Sequence, residues 1–345
     1  LWDDVIAAAT PIRRIHVSDR GRFGFSHIDA AQQGVAAQGY VVINRVLGDV
    51  LQSALTNAAT VDVICPARVI DIDTGGDLAA ARIESADGEH RELDCQLLVA
   101  ADGANSALRP MMGICANKTD YGQHAVIGTL LPEKPLDNCA YERFTDQGPL
   151  ALLPVADDRA AFVWTVSSHD AERVLGLDDE AFLDELQEAF GYRLGRLSRV
   201  SKRVAYPLSL SKALRLTAER SVLVGNSAHG LHPVAAQGFN LGMRDVAALC
   251  DCIADARRND PSADLGDSEL LARYAQWRRD DQGKLVRLTD GIVRLFGSSS
   301  PPIRAARNIG MIGFDVIPGV RSLFAKHMMG LAGRLPRLSR GVPLK

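Results

Sequence analysis

No stretch of this 345-residue chain approaches the ~18 consecutive apolar residues of a membrane-spanning helix, so none reads as a transmembrane segment. Nor do the first residues read as a secretory leader. The chain opens Leu1-Trp-Asp-Asp-Val-Ile, which reads like the middle of a helix and not like a signal sequence. With Leu and not Met at its head, the sequence is expected to be a piece of a longer protein. No charge of one sign dominates. The 39 Lys and Arg against 42 Asp and Glu leave a net charge of −3, and the pI is near 6.3. That balance gives no reason to expect nucleic acid as a partner. Cysteines number six and are scattered: Cys65, Cys95, Cys115, Cys139, Cys250 and Cys252. None has the spacing of a zinc site, so reduced thiols and no metal are expected. There is no internal repeat and no low-complexity linker. What is abundant is apolar surface, at 47% of residues, enough for a sizeable core in one interleaved or two separate domains.

Patterning divides the chain. Ile12 to Ser18 and Phe23 to Ile28 suit strands joined by an Asp19-Arg-Gly-Arg turn. Tyr40 to Ile43 is a short apolar run, and Val46 to Leu55 follows helical spacing. Strands are expected at Val61–Cys65, Pro66–Ile72 and Cys95–Ala100, with hairpin turns at Asp73-Thr-Gly-Gly and Ala86-Asp-Gly-Glu. From Ala125 to Tyr206 the pattern is an antiparallel sheet (Ala125–Leu131, Asn138–Phe144, Leu150–Val155, Ala160–Val166) with one amphipathic helix at Asp179–Phe190. The rest is helical, at Asp245–Asp255, Ser268–Phe296 and about 302–335. The tail beyond Asp315 has no acidic residue. Arg321, Lys326, Arg334, Arg337, Arg340 and Lys345 are interleaved with Phe324, Met328, Met329 and Leu331. It reads equally as a membrane-surface helix or as an ordinary packed helix with a frayed end.

The most informative stretch is Val222 to Asp245. Ser221 to Val224 is an apolar, β-branched run typical of a strand covered on both faces. Gly225-Asn226-Ser227 ends it with turn chemistry, and His232-Pro233 forces an extended residue. Gly238-Phe-Asn-Leu-Gly242 then opens a helix running to about Ile253. Free N–H groups at a helix start attract anions or polar acceptors, so the stretch reads as a cofactor site or as a packing turn.

These residues carry a family resemblance. Leu97-Leu-Val-Ala-Ala-Asp102-Gly103-Ala-Asn-Ser106-Ala-Leu-Arg109 resembles the Asp-Gly motif of the class A flavoprotein monooxygenases. Val222–Asp245 resembles their second FAD motif. Glu142-Arg-Phe-Thr-Asp-Gln-Gly-Pro-Leu-Ala-Leu-Leu-Pro154, Tyr274-Ala-Gln-Trp-Arg-Arg-Asp-Asp281, Thr289-Asp-Gly and Leu295-Phe296 narrow the likeness to the ubiquinone-biosynthesis hydroxylases, and Asn226, where most class A enzymes have Asp, to their UbiH type. Relative to that family the chain lacks the opening βαβ unit with Gly-x-Gly-x-x-Gly. The resemblance therefore implies an N-terminal truncation of about eighty residues, pyrophosphate cradle included.

The resemblance implies an α/β fold. An FAD-binding doubly wound domain, incomplete without its first βαβ, interleaves with an antiparallel substrate sheet and ends in a helical tail. The expected parts are 1–39 (substrate-domain hairpin), 40–113 (FAD domain), 114–208 (substrate sheet), 209–285 (FAD domain) and 286–345 (C-terminal helices). It implies aromatic hydroxylation of a polyprenyl-phenol with O2, FAD as cofactor, and NAD(P)H or another reductant as electron donor. Other ubiquinone-biosynthesis proteins are expected partners. The expected location is the bacterial cytoplasm, with a peripheral place at the inner membrane. Cofactor contacts are expected from Arg45, Asp102, Gly103, Gly225, Asn226, Pro233, Gly238, Phe239 and Asn240. Pro233, Gln237 and Gly238 would face the flavin ring, where Ala236 replaces a common glycine. No residue stands out as a general base. His229 and His232 read as loop-ordering before catalytic, and Asp245 as securing its helix. Substrate candidates are Phe144, Leu150, Leu152 and Trp164, residue types found more often in cores than in pockets. A hydroxylase of a soluble phenol and a non-catalytic scaffold subunit remain the alternatives.

Overall fold

A computed structural model describes residues 1–21, 25–230, 237–297 and 333–344. The expected tail helix, Phe23, His232, Pro233 and Ala236 lie outside them. In chain order the elements begin with α1 (Trp2–Ile6), β1 (Thr10–Ile12), β2 (Arg14–Asp19), β3 (Phe25–Asp29), β4 (Gly39–Val41) and α2 (Asn44–Thr56). Next come β5 (Ala67–Asp73), β6 (Ala79–Ser85), β7 (His90–Cys95), β8 (Leu98–Ala100), α3 (Leu108–Met111) and β9 (Ala116–Pro132). Then follow β10 (Cys139–Thr145), β11 (Gly148–Pro154), β12 (Ala160–Ser167), α4 (Ser168–Gly176) and α5 (Asp179–Phe190). The last are β13 (Leu197–Ser198), β14 (Val204–Ala213), β15 (Thr217–Ala218), β16 (Ser221–Leu223), β17 (His229–Gly230), α6 (Gly238–Asn259) and α7 (Ser268–Gly297).

The chain forms two compact units. One comprises Leu1–Val63, Gly122–Leu208 and Gly291–Met329; the other comprises Ile64–Tyr121, Ser209–Asp290 and Gly330–Lys345. In the first, strands pair in the order β9-β12-β11-β10-β2-β3. All these pairings are antiparallel except β10 with β2, where Cys139 lies opposite Arg14 and Phe144 opposite Asp19 in parallel. The sheet is thus mixed where a purely antiparallel one was expected. β2 reaches β10 from far away in sequence, so no hairpin dictates its direction.

One face of this sheet packs on α4 and α5. Leu150, Leu152, Phe162, Trp164 and Val126 join Phe182, Leu186 and Phe190 in a buried cluster. The Phe182 ring lies 5.6 Å from those of both Phe162 and Trp164. α5 occupies its expected residues because Asp178 caps it, accepting from Ala181 N at 2.8 Å, and two more acids open its first turn. α4 was not expected; Ser167 caps it by accepting from Asp170 N at 3.1 Å.

In the second unit, β5, β6 and β7 form a meander, with turns at both expected places. β15, β16 and β8 form a separate small sheet. Its core gathers Leu98, Ala100, Val222, Leu223, Leu249, Leu271 and Tyr274, with α6 and α7 as cover. The apolar run Val61–Cys65 is not a strand. Val61, Val63 and Ile64 are 42%, 55% and 43% exposed, and no described strand pairs with them. The expected strand Cys95–Ala100 is divided between the end of β7 and β8. No helix among the described residues is long and apolar enough to cross a membrane.

Candidate functional site

β8 and β16 run parallel, with Leu98 opposite Ser221 and Ala100 opposite Leu223. Both strands therefore end at the same edge, the carboxyl edge where open α/β sheets bind ligands. The loops that follow are locked together. Val224 N donates to Ala100 O at 3.1 Å, and Ser227 Oγ lies 2.7 Å from the same carbonyl. Arg109 Nη1 donates to Ser227 O at 2.9 Å. Asp102 is exposed, and its carboxylate accepts from Leu108 N at 3.0 Å, which fixes the start of α3.

Glycine is required at the turn. Gly225 has φ 62°, in the left-handed region. A Cβ on Gly242 would stand 3.2 Å from the Gly225 Cα, so two glycines let α6 approach the turn closely. Behind the turn lies a fully buried polar knot. Asp245 Oδ2 accepts from His229 Nε2 at 2.6 Å and from Gly225 N at 3.0 Å. Its Oδ1 accepts from Arg278 Nε at 2.7 Å and from Gln282 Nε2 at 3.1 Å. Burial alone would raise the Asp245 carboxyl. The bond and charge of His229, then Arg278, outweigh it and hold the group below the usual carboxylate range. Arg278 also donates to Asp281 at 2.7 Å, and Arg244 donates to Asp281 at 3.1 Å. Tyr274 Oη donates to Leu223 O at 3.0 Å, and burial raises its phenol well above the ordinary value.

In front of the knot, α6 begins at Gly238, and no side-chain cap to its start is found among the described residues. Its first backbone bond is Leu241 N to Gln237 O, at 2.9 Å. The N–H groups of Gly238, Phe239 and Asn240 precede that bond and have no acceptor within the helix. Phe239 is 61% exposed; Asn226 and Asn240 are exposed as well, and Gln237 is buried.

These features fit FAD. A glycine turn at the strand edge gives the backbone close approach. An uncapped helix start offers N–H groups to a polar or anionic edge of the ring. The Asn226 amide can accept from and donate to hydroxyls such as those of a ribityl chain.

Gly103, Gly225, Asn226, Gly238, Phe239 and Asn240 lie in this second unit with Asp102. Arg45 stands exposed in the first turn of α2, in the other unit. Leu150, Leu152 and Trp164 face the helices in the sheet core, whereas Phe144 lies on the opposite face. Sequence reading missed Tyr274, Arg278 and Gln282 as supports of the turn. Their spacing of four, one face of a helix, was the available signal.

Strand edge, glycine turn and helix start together fit a flavin-dependent monooxygenase. The sequence model of the FAD binding domain family matches residues 1–289. Ubiquinone hydroxylase UbiL of Rhodospirillum rubrum is 37% identical, over 100% of this chain and 79% of that protein. The 3-demethoxyubiquinol 3-hydroxylase of Escherichia coli is 30% identical, over 96% of this chain and 83% of that protein. Among solved structures, p-nitrophenol 4-monooxygenase PnpA from Pseudomonas putida superposes with a TM-score of 0.76 at 18% identity, covering 97% of this chain and 84% of that one. The chain belongs to the FAD binding domain family and, within it, to the ubiquinone-biosynthesis hydroxylases.

Proposed function

We propose that the protein hydroxylates the ring of a polyprenyl-phenol, with O2 as oxygen source and NAD(P)H or another reductant as electron source. The observation that carries this reading is the Gly225–Asn226 turn, pinned from behind by Asp245 and facing an uncapped α6. The names of the relatives, a ubiquinone hydroxylase and a demethoxyubiquinol hydroxylase, support the substrate class. FAD, when bound and reduced, supplies the electrons that let O2 give one atom to the ring while the other leaves as water.

The chain's own part is positioning. Gly103 and Gly225 admit the cofactor's polar chain to the strand edge. Asn226 binds its hydroxyls. The α6 N–H groups stabilise negative charge on the reduced ring. Asp245 and His229 hold the turn rigid, so these donors are in place before the reaction begins. Pro233, Gln237 and Gly238 are assigned to the ring side of the cofactor. An association with other ubiquinone-biosynthesis proteins and with the inner face of a membrane follows from the apolar substrate.

The test is turnover of 2-geranylphenol with NADH or NADPH under isotopically labelled O2. The expected product carries one labelled oxygen per ring. Reductant consumption without labelled product would contradict the proposal.

A further inference from the structure

The second face of the first unit's sheet has a different character from the one under α4 and α5. Strand alternation turns Tyr141 and Leu152 towards the helices and Glu142 away from them. Glu142 lies opposite Val17 of β2 and Ala151 of β11. Ala151 lies opposite Val163 of β12, and Val163 opposite Ile127 of β9. The row across five strands is therefore apolar apart from one carboxyl. The flanking rows add Ala140, Leu153 and Ala161 on one side and Phe144, Pro149 and Thr165 on the other. Among the residues that β2, β3, β10, β11 and β12 place on this face in their paired registers, Asp19 of β2, opposite Phe144, is the one other titratable group. Residues 123–130 of β9, and β11 and β12, bring no charged side chain of their own to it; at its far end Arg159 donates to Thr129 Oγ1 at 2.9 Å, opposite Ala161.

Glu142 is partly buried, and no hydrogen bond or ion pair to its carboxyl is found among the described residues. Burial pushes its carboxyl up to about 7, with no neighbouring charge contributing. An unpaired carboxyl in an apolar wall is costly, and such groups concentrate where chemistry is done. A wall that is apolar except for one acceptor fits a ligand that is apolar except for one hydroxyl donor.

We propose that Glu142 is a catalytic residue that takes the hydroxyl proton of a phenol lying against this face. The inference rests on the phenol-hydroxylase reading above. In the step, the substrate O–H bond breaks and an Oε–H bond forms on Glu142. The electron pair stays on the phenol oxygen, and nothing is oxidised or reduced. The charge delocalises into the ring and makes its carbons better nucleophiles towards an electrophilic oxygen. The proton then returns to the product or to water. A base titrating near neutrality is matched to that task.

The test uses the FAD-loaded full-length protein and equilibrium dialysis with 2-geranylphenol and its methyl ether. The phenol should bind up to about ten-fold tighter as pH rises through about 7, because the ionised carboxylate is the better acceptor; the ether should not. In Glu142→Gln the phenol's pH dependence should vanish. Its kcat should fall about a hundred-fold or more, and the acidic limb of the kcat/KM profile should disappear. Glu142→Asp should recover the limb in part. A Gln variant that binds phenol with the parent's pH dependence and keeps its acidic limb would overturn the inference alone. Failure of the parent to bind 2-geranylphenol at any pH would overturn the substrate reading along with it.

Discussion

His229 Nε2 donates to Asp245 Oδ2 at 2.6 Å, with both side chains wholly shielded from solvent. This bond ties the segment after the cofactor turn to the middle of α6. The Gly225 N–H bond to the same oxygen ties in the turn itself. One carboxylate thus sets the distance between turn and helix, the two parts proposed to meet FAD. On the proposed function Asp245 is a positioning residue: it touches the turn assigned to the ligand, and Arg278 balances its charge.

Asp245→Asn is expected to lower stability by about 1.5–3 kcal/mol, because it removes the charged acceptor of the buried Arg278 Nε and leaves that guanidinium with Asp281 as its one carboxylate partner among the described residues. Urea unfolding measures this through the midpoint at constant slope. The same variant should release FAD more readily than the parent, since one amide oxygen cannot replace two carboxylate oxygens that together accept from Gly225, His229, Arg278 and Gln282. A variant with parental stability would show that the knot contributes nothing.

Asn226→Ala should weaken FAD binding about ten-fold, the loss of one or two hydrogen bonds of about 1 kcal/mol each. Asn226→Asp should bind at least as well as Asn226→Ala, because a carboxylate still accepts from hydroxyls. Titration of apoprotein with FAD, followed by flavin fluorescence, decides it. Equal affinity in all three proteins would remove Asn226 from the site.

Leu152→Ala should cost about 2–5 kcal/mol. The side chain is fully buried among Phe162, Phe182 and Leu186. FAD affinity should be unchanged. A stable variant with a raised KM would instead place Leu152 in a pocket.

His16 gives the fold a pH dependence. Burial first, then the charges of Arg193, His27 and Arg143, lowers its pKa from 6.5 to about 4. The folded state therefore holds fewer protons than the unfolded chain between those values. The stabilisation is complete above about 6.5 and is lost as pH falls towards about 4. The full effect is about 3 kcal/mol at one pKa unit per 1.4 kcal/mol. Thermal melts of His16→Gln should show a flatter slope across that window than the parent. An unchanged slope would assign the pH dependence elsewhere.

Much of the site was legible because local chemistry specifies it. A left-handed glycine after a buried strand and a glycine-opened helix can be read from residue types alone, and Gly225 and α6 lie where those rules put them. The capped, acid-led α5 was equally plain. What could not be read depends on partners distant in sequence. Val61–Cys65 is as apolar as a strand, yet a strand needs a neighbour to pair with, and no described one is there. The alternation of Leu150, Ala151 and Leu152 showed two faces without showing which one α5 covers. Leu150 and Leu152 were therefore named as substrate candidates, although their residue types favour cores, and Glu142 on the other face was not named. Arg278 stood in the sequence only as part of a family motif; contact with Asp245, on another helix, and with Asp281 makes its burial tolerable.

The most direct test of the account is the visible spectrum of the protein purified from its complete coding sequence, before and after reconstitution with FAD. A yellow protein is predicted, with an oxidised-flavin spectrum that bleaches on reduction and returns on exposure to O2. Asp245→Asn should carry less flavin at equal protein concentration. A colourless protein that takes up no FAD on reconstitution would contradict the account at its centre.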